Sequence, residues 1–395
     1  MSKYRAYNDT WIRNRAVVQQ AERWQRQNLL TGEQLDAVRQ AYPVGFRQTS
    51  GFLDFGLFLF TTLAIMGSYL LVGSLFDTFS NQPRVFGVFN VLVGLGAGLV
   101  GQYLIRERQL YRNGIDNAFV ITLTGFVVFG LNQLFFSGLP VHAQLLLLLP
   151  VLLAILWYYG DTLVAFLTLG AVYGVVFTYL IRSDWGKAVL PFVGMGVSAA
   201  LYAMARRLAQ RTTQSLYYDD ALVLTQWVAL VCLAAAGNYY VVRQLNGLLL
   251  KPRPAAAPET ALPYLFWALT FGIPAAYVWL GFARKNRMLL IVGAFGVAAA
   301  VATFRHYHAL LPLNWALTLD GLLLVGLAVA GIYSLRNGPR RGFTDTADDD
   351  SPDGLFGNAQ TLATLQTMTG APHSPAAGPR FGGGTFGGGG AGERY

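Results

Sequence analysis

Residues 52–76 read FLDFGLFLFTTLAIMGSYLLVGSLF, the first long apolar run of the chain, which follows a polar N-terminal segment. An α-helix rises about 1.5 Å per residue, so a bilayer crossing needs roughly 20 apolar residues, and this run is long enough. Asp54 is its only charged side chain and lies in the first turn, where a carboxylate reaches the membrane interface. The run therefore predicts a transmembrane helix, and everything before it stays on one side of the membrane.

The composition of the whole chain is that of a polytopic membrane protein. Of its 395 residues 54% are apolar and 12% are charged, against roughly 25% charged residues in a soluble domain. The net charge of +9 comes from Lys and Arg at the ends of apolar runs, without a basic patch of stacking or base-reading groups. We therefore predict no nucleic-acid binding. The single cysteine, Cys232, lies within an apolar run and excludes an intrachain disulfide.

Apolar runs of similar length recur along the chain and predict about ten membrane spans. We expect an all-α fold: a transmembrane helical bundle in residues 51–336, preceded by a cytoplasmic helical hairpin in residues 1–50. The acidic and then glycine-rich residues 337–395 cannot bury enough apolar surface to fold alone, so we expect a disordered C-terminal tail. The predicted spans are 52–76, 85–105, 118–137, 141–159, 162–181, 188–205, 221–242, 262–283, 288–304 and 313–335.

The N-terminal segment predicts two short helices. Asp9 or Thr10 can cap the first, which runs from Trp11 to Gln27. Thr31-Gly32-Glu33-Gln34 has the form of a capping box and opens the second, which Pro43 closes.

Each helix of the predicted hairpin has an apolar face, and Trp24, Leu35 and Val38 form its candidate docking surface. Such faces are buried only against each other, the membrane or a partner. One interpretation is a hairpin that rests on the cytoplasmic membrane surface, and the other is a protein-docking module. We expect protein partners to bind the hairpin and the C-terminal tail, and homo-oligomerisation remains open.

The distribution of basic residues predicts the orientation of the chain. With a cytoplasmic N-terminus, 20 Lys and Arg residues lie on the cytoplasmic side and 7 on the other. This asymmetry favours both termini in the cytoplasm. We therefore expect a multi-pass protein of the bacterial inner membrane.

Glycines within the second predicted span favour close helix packing. Gly96-x-Gly98-x-x-Gly101 matches a dinucleotide-binding fingerprint by letter, but it lies inside an apolar span and not between a strand and a helix. Gly94 and Gly98, and Ala97 and Gly101, are small residues four apart, as are Gly170 and Gly174 in a later span. This spacing is typical of closely packed transmembrane helices.

Asp320 is the candidate functional residue within the membrane. It lies well inside the last predicted span, where an ionised carboxylate costs roughly 2.5–3.5 kcal/mol unless it is paired, protonated or wetted. Its candidate partners are Arg305, His306 and His308, just before that span. The arrangement is typical of a proton- or ion-linked site, or of an Asp that joins two helices. We predict no catalytic residue, cofactor or metal, since no catalytic motif appears and the chain has only four His and one Cys.

Two stretches resemble a family of uncharacterised bacterial membrane proteins, the domain of unknown function twenty-one fifty-seven family. One is Trp24-Gln-Arg-Gln-Asn-Leu-Leu-Thr-Gly-Glu-Gln-Leu35, which is similar to a helix pair that precedes the family's spans. The other is His306-Tyr-His-Ala-Leu-Leu-Pro-Leu-Asn-Trp-Ala-Leu-Thr-Leu-Asp320-Gly-Leu-Leu-Leu324, which resembles its closing segment. The chain has Asn28 at a turn position where the family usually has Gly. The resemblance covers residues 10–335 and implies this architecture without implying a chemistry.

These observations favour a non-enzymatic scaffold or regulatory component of an envelope complex. The alternative is a small-solute or ion-coupled transporter or channel that uses Asp320, with Pro150, Pro191 and Pro274 near its path. A membrane enzyme is the third reading, and the shortage of clustered catalytic groups argues against it.

Overall fold

The computed structural model describes residues 5–47, 51–75, 82–210, 215–250 and 257–308, together with seven isolated positions between 318 and 333. This part of the chain is helical and contains no strand, which confirms the all-α prediction. Its α-helices are α1 Asp9–Arg26, α2 Gly32–Ala41, α3 Gly51–Leu75, α4 Pro83–Arg108, α5 Ile115–Leu131, α6 Val141–Tyr159, α7 Thr162–Leu180, α8 Asp184–Ala209, α9 Asp219–Gly237, α10 Tyr239–Leu249, α11 Pro263–Ala283 and α12 Arg287–Tyr307.

Nine of the described helices, α3 to α9, α11 and α12, are long and apolar enough to cross a membrane. They correspond to the first nine predicted spans. On α3 the apolar side chains face outward, and Phe52 is 85% and Phe60 72% exposed. Such exposed apolar surface suits lipid rather than water. The chain therefore has the helices of a multi-pass membrane protein. The tenth predicted span, 313–335, and the tail, 337–395, lie outside the continuously described residues.

Consecutive spans pair as helical hairpins, and glycines bring α4 and α5 close together. A Cβ placed on Gly94 would lie 2.8 Å from a side-chain carbon of Val127, and one on Gly101 would lie 2.7 Å from Phe119. The predicted close packing of this span is confirmed. The prediction is wrong for Gly170, where no atom of the described residues lies within 4 Å of an added Cβ, but a Cβ on Gly174 would lie 2.8 Å from a side-chain carbon of Leu145.

The chain breaks at Asn238, within the predicted span 221–242, so the end of that prediction is wrong. Asn238 has extended backbone angles, and its side chain accepts hydrogen bonds from the N–H groups of Tyr240 and Val241. These bonds cap α10, because the side-chain oxygen satisfies N–H groups that lack a partner within the helix. The Asn238 side-chain NH₂ also donates to Thr303 Oγ1 of α12 at 3.0 Å.

The N-terminal segment forms the predicted helical hairpin of α1 and α2. Its first cap is Asn8, which accepts from the N–H groups of Thr10 and Trp11, so the prediction of Asp9 or Thr10 as the cap is wrong. An Asn one residue earlier competes well for this position. The capping box of Thr31 and Gln34 is confirmed.

An ion pair and a left-handed residue shape the connection between α1 and α2. Arg39 of α2 lies 2.8 Å from Glu22 of α1. Asn28 has a φ of 58°, in the left-handed region that Gly adopts easily and Asn tolerates better than most residues. Asn28 therefore serves at a turn position where Gly is the usual residue.

Candidate functional site: a charged and aromatic cluster at one end of the bundle

A cluster of charged and aromatic side chains joins the N-terminal segment to the first turns of α5, α7 and α9. We call it the end cluster. It is formed by Arg5, Tyr7, Tyr111, Arg112, Asp116, Asp161, Tyr217 and Asp220.

Asp116 lies at the centre of the end cluster, in the first turn of α5, and is completely buried. Its carboxylate accepts a 2.8 Å hydrogen bond from the Tyr7 hydroxyl. It also accepts from the backbone N–H groups of Arg112, Asn113 and Asn117, at 2.7, 2.9 and 3.0 Å. Four donors replace the water that a buried carboxylate loses.

The Tyr7 side chain is the donor from the N-terminal segment. It is 5% exposed and packs edge to face against Tyr111, with ring centroids 5.1 Å apart. Burial and then the charge of Asp116 raise the pKa of Tyr7 well above its ordinary value. The hydroxyl therefore keeps its proton and donates to Asp116 over the whole physiological range.

Arg112 connects three helix starts that are far apart in the sequence. Its guanidinium forms an ion pair with Asp220 of α9. It also donates to the carbonyl oxygens of Gly160, just before α7, and Tyr217, just before α9. Because an Arg carries five N–H donors in a planar fork, a single side chain can serve all of these acceptors.

Asp161 is the N-cap of α7 and is 5% exposed. Its carboxylate accepts from the N–H groups of Leu163 at 2.8 Å and Val164 at 3.0 Å. Burial raises the pKa of Asp161, and these two hydrogen bonds oppose that rise. The group is thus a helix cap in a dry setting, which makes its charge costly.

The N-terminal segment is attached to the bundle at further points. The Ala6 N–H donates to the Tyr158 carbonyl oxygen at 3.2 Å. The Arg5 guanidinium lies 4.7 Å from the centroid of the Tyr217 ring. Phe46, after α2, stacks on Tyr111 at 4.5 Å. Both ends of the hairpin are therefore held against the same end of the bundle.

The contacts of the end cluster have a structural role, because they connect the N-terminal segment to the helical bundle. The buried Asp116 carboxylate has its hydrogen-bond donors in place and the Arg112 guanidinium has its acceptors, and a satisfied network of this kind stabilises one arrangement. Within the described ranges, no group of three or more His, Cys, Asp or Glu side chains could hold a metal ion.

The predicted intramembrane site is described only in part. The rings of His306 and Tyr240 of α10 lie 4.9 Å apart, and those of His308 and Trp267 of α11 lie 5.6 Å apart. The two histidines thus face different helices. Arg305 is half-buried near the end of α12, and Asp320 lies outside the described residues.

The predicted docking surface is divided by the hairpin fold. Leu35 is 4% exposed and Val38 is half-buried, whereas Trp24 is 43% exposed. Leu29, in the turn between the helices, is 67% exposed. The exposed large apolar side chains of the hairpin are Val17, Trp24, Leu29 and Tyr42, of which Leu29 is the most exposed.

Sequence reasoning did not identify the end cluster, although a local signal for it exists. Asp116, Asp161 and Asp220 each lie at the start of a helix that follows a short loop. Acidic residues at helix starts are favoured by the helix dipole. The position of each Asp is therefore explained by its own helix, and its contact with a distant segment could not be predicted from it.

No family model, curated protein or solved structure matches the chain. The resemblance to the domain of unknown function twenty-one fifty-seven family therefore stays a prediction.

Proposed function

We propose that this chain is a multi-pass protein of the bacterial inner membrane that acts as a non-enzymatic scaffold or regulatory component of an envelope complex. Both termini lie in the cytoplasm, and the hairpin of α1 and α2 is the element that binds partners. The observation that carries this proposal is the buried hydrogen bond from Tyr7 to Asp116, which fixes the hairpin to the bundle.

A fixed hairpin suits a scaffold better than a loosely tethered leader. Partner binding costs less conformational entropy when the binding element is already ordered. The hydrogen bonds of Tyr7 and Ala6 and the stacking of Phe46 on Tyr111 hold the hairpin at both ends. Trp24 and Leu29 then face outward from an ordered support.

The buried hydroxyls of the described spans agree with a scaffold, which needs no path for a solute. Thr122, Thr124, Thr168 and Thr270 each donate to the carbonyl oxygen four residues earlier in their own helix. Hydroxyls that are satisfied in this way do not need a water-filled path. The transporter alternative depends on Asp320 and stays a prediction.

Site-specific photocrosslinking in bacterial membranes tests the proposal. A photoreactive residue replacing Leu29 should give protein adducts of discrete mass. Lys285, exposed in the loop between α11 and α12, is the matched control position and should give none. The adducts at Leu29 should weaken when Tyr7→Phe loosens the support of the hairpin.

Two results would contradict this scaffold proposal. If the probe at position 29 formed adducts with lipid alone, the hairpin would rest on the membrane surface and bind no partner. If the probes at 29 and 285 gave the same set of adducts, the contacts would reflect collision rather than recognition.

A further inference from the structure

A cavity of about 600 Å³ lies between the N-terminal segment and the last turn of α4. Trp11, Phe46 and Ile105 provide apolar parts of its lining, and Arg5, Asp9 and Arg106 provide the charged groups. A lining that combines aromatic rings with guanidinium groups suits an amphiphilic anion rather than a purely apolar molecule.

The charges in the cavity leave one cation available for a ligand. The Arg5 guanidinium lies 3.2 Å from the Asp9 carboxylate, which balances its charge, and it also lies over the Tyr217 ring. Arg106 is exposed, and no carboxylate of the described residues forms an ion pair with it. The cavity therefore has a net positive charge, and Arg106 supplies its available donors.

The exposed side chains of α4 indicate that the cavity lies at the level of a membrane interface. Leu99 and Tyr103 of α4 are 74% and 64% exposed, and Arg106 follows Tyr103 by three residues. This spacing puts Arg106 about 4.5 Å further along the helix axis. Exposed Tyr side chains are enriched where apolar spans meet the headgroups, so Arg106 lies at headgroup depth.

We propose that this cavity binds the phosphate group of an anionic phospholipid. The Arg106 guanidinium presents paired N–H donors that match two phosphate oxygens. Trp11, Phe46 and Ile105 contact the glycerol and the first acyl carbons. A free phosphate ester shares the phosphate chemistry, but it would leave this apolar lining in water, so the cavity favours the lipid.

Thermal unfolding of the purified full-length chain in neutral detergent tests the proposal. Phosphatidylglycerol is titrated in, with phosphatidylcholine and glycerol phosphate in parallel. A ligand that binds only the folded chain raises the Tm with its concentration, and the titration gives an apparent affinity. We expect phosphatidylglycerol to raise the Tm more than either of the other two.

Arg106→Gln is the informative variant, and Arg108→Gln is its matched control. Arg108 lies two residues further along α4, is exposed and does not line the cavity. Losing the charge-assisted hydrogen bonds should weaken phosphatidylglycerol binding about tenfold in Arg106→Gln and leave Arg108→Gln like the unsubstituted chain. Arg106→Lys keeps the charge without the planar fork and should fall between them.

The possible results separate the ligand sources. Equal losses in Arg106→Gln and Arg108→Gln, or equal effects of the two lipids on the unsubstituted chain, would overturn the proposal. An equal Tm rise with glycerol phosphate, lost only in Arg106→Gln, would support the phosphate site and assign it to a soluble ester. These measurements need no partner protein, so they are independent of the proposed scaffold role.

Discussion

The hydroxyl of Tyr7 is one of the four donors around the buried Asp116 carboxylate, and it is the only one of them that comes from the N-terminal segment. Tyr7→Phe keeps the ring and removes this donor. We expect a loss of about 1–3 kcal/mol in the docking of the hairpin, because a buried acceptor loses a partner without gaining water.

Hydrogen exchange across α1 and α2, together with thermal unfolding, measures the effect of Tyr7→Phe. Tyr103→Phe is the matched control, because Tyr103 is 64% exposed on α4. Exchange should accelerate through the hairpin in Tyr7→Phe alone. If both variants exchanged at the same rate, the Tyr7 hydroxyl would not hold the hairpin.

At Asp161 the effect of capping the helix and the effect of the charge on stability can be measured separately. Burial raises its pKa in the folded chain, so its ionised form is destabilising. The stability that protonated Asp161 contributes is fully present below the pKa of Asp in the unfolded chain, about 3.9. It is lost as the pH rises through the higher pKa of Asp161 in the folded chain. Asp161→Asn keeps an oxygen acceptor for the N–H groups of Leu163 and Val164, whereas Asp161→Ala does not.

At pH 7 we therefore expect Asp161→Asn to unfold at the same temperature as the unsubstituted chain or higher. Asp161→Ala should lose about 1 kcal/mol, the usual cost of a missing N-cap. Thermal unfolding between pH 4 and pH 8 provides the comparison. The comparison uses the Tm of Asp161→Asn minus the Tm of the unsubstituted chain at each pH. If this difference were lower at pH 7 than at pH 4, the ionised carboxylate would be stabilising.

The packing of α4 against α5 gives a prediction for a whole element. A Cβ on Gly94 would lie 2.8 Å from a Val127 side-chain carbon and 3.0 Å from its backbone nitrogen, whereas one on Gly96 would meet no atom of the described residues within 4 Å. Gly94→Ala should therefore cost about 1–3 kcal/mol through overpacking. Gly96→Ala should be neutral or stabilising, since Ala favours helix more than Gly does.

Thermal unfolding of the two Gly→Ala variants in the same detergent provides the test. The Tm should fall for position 94 and stay level or rise for position 96. Equal Tm values would show that α4 and α5 separate enough in detergent to accept a methyl group at either position.

The positions of the nine described spans could be predicted from the sequence because each depends on a local apolar run, although α8 extends four residues beyond the predicted 188–205 at each end. The break between α9 and α10 was missed for the same reason, since Tyr239, Tyr240, Val241 and Val242 continue the apolar run beyond Asn238. The hydrogen bond from Asn238 to Thr303, 65 residues away, accompanies this break. A hydrogen bond between residues so far apart produces no periodic sequence pattern from which it could be predicted.

The end cluster was beyond sequence reasoning for a related physical reason. Tyr7 and Asp116 are 109 residues apart, and Arg112 and Asp220 are 108 apart. Each residue alone is ordinary, because Asp is favoured at helix starts and Tyr and Arg are common at the membrane interface. Their joint role follows from the way the hairpins of spans pack together, which no single segment determines.

At the scale of the whole molecule, the contacts show which loops share an end of the bundle. Arg112 precedes α5, Gly160 precedes α7, and Tyr217 and Asp220 lie at the start of α9, and all meet in the end cluster. Asn238 and Thr303 lie together at the other end. This alternation is what successive crossings require, and the basic residues then predict which end is cytoplasmic.

Labelling of single introduced cysteines, in a chain carrying Cys232→Ser, tests this orientation. Glu259 and Lys285 are exposed on either side of α11, and Asp36 is exposed on α2. We expect an impermeant thiol reagent to label Glu259→Cys in intact cells. Lys285→Cys and Asp36→Cys should react only after the membrane is permeabilised. Their side of the membrane carries 20 basic residues against 7 on the other, which predicts that it is cytoplasmic.

Each alternative orientation gives its own labelling pattern in this experiment. Labelling of Lys285→Cys and Asp36→Cys alone in intact cells would reverse the predicted orientation while keeping the spans. Labelling of Glu259→Cys and Lys285→Cys from the same side would mean that α11 does not cross the membrane. Opposite sides for Lys285→Cys and Asp36→Cys would contradict the even number of crossings between them.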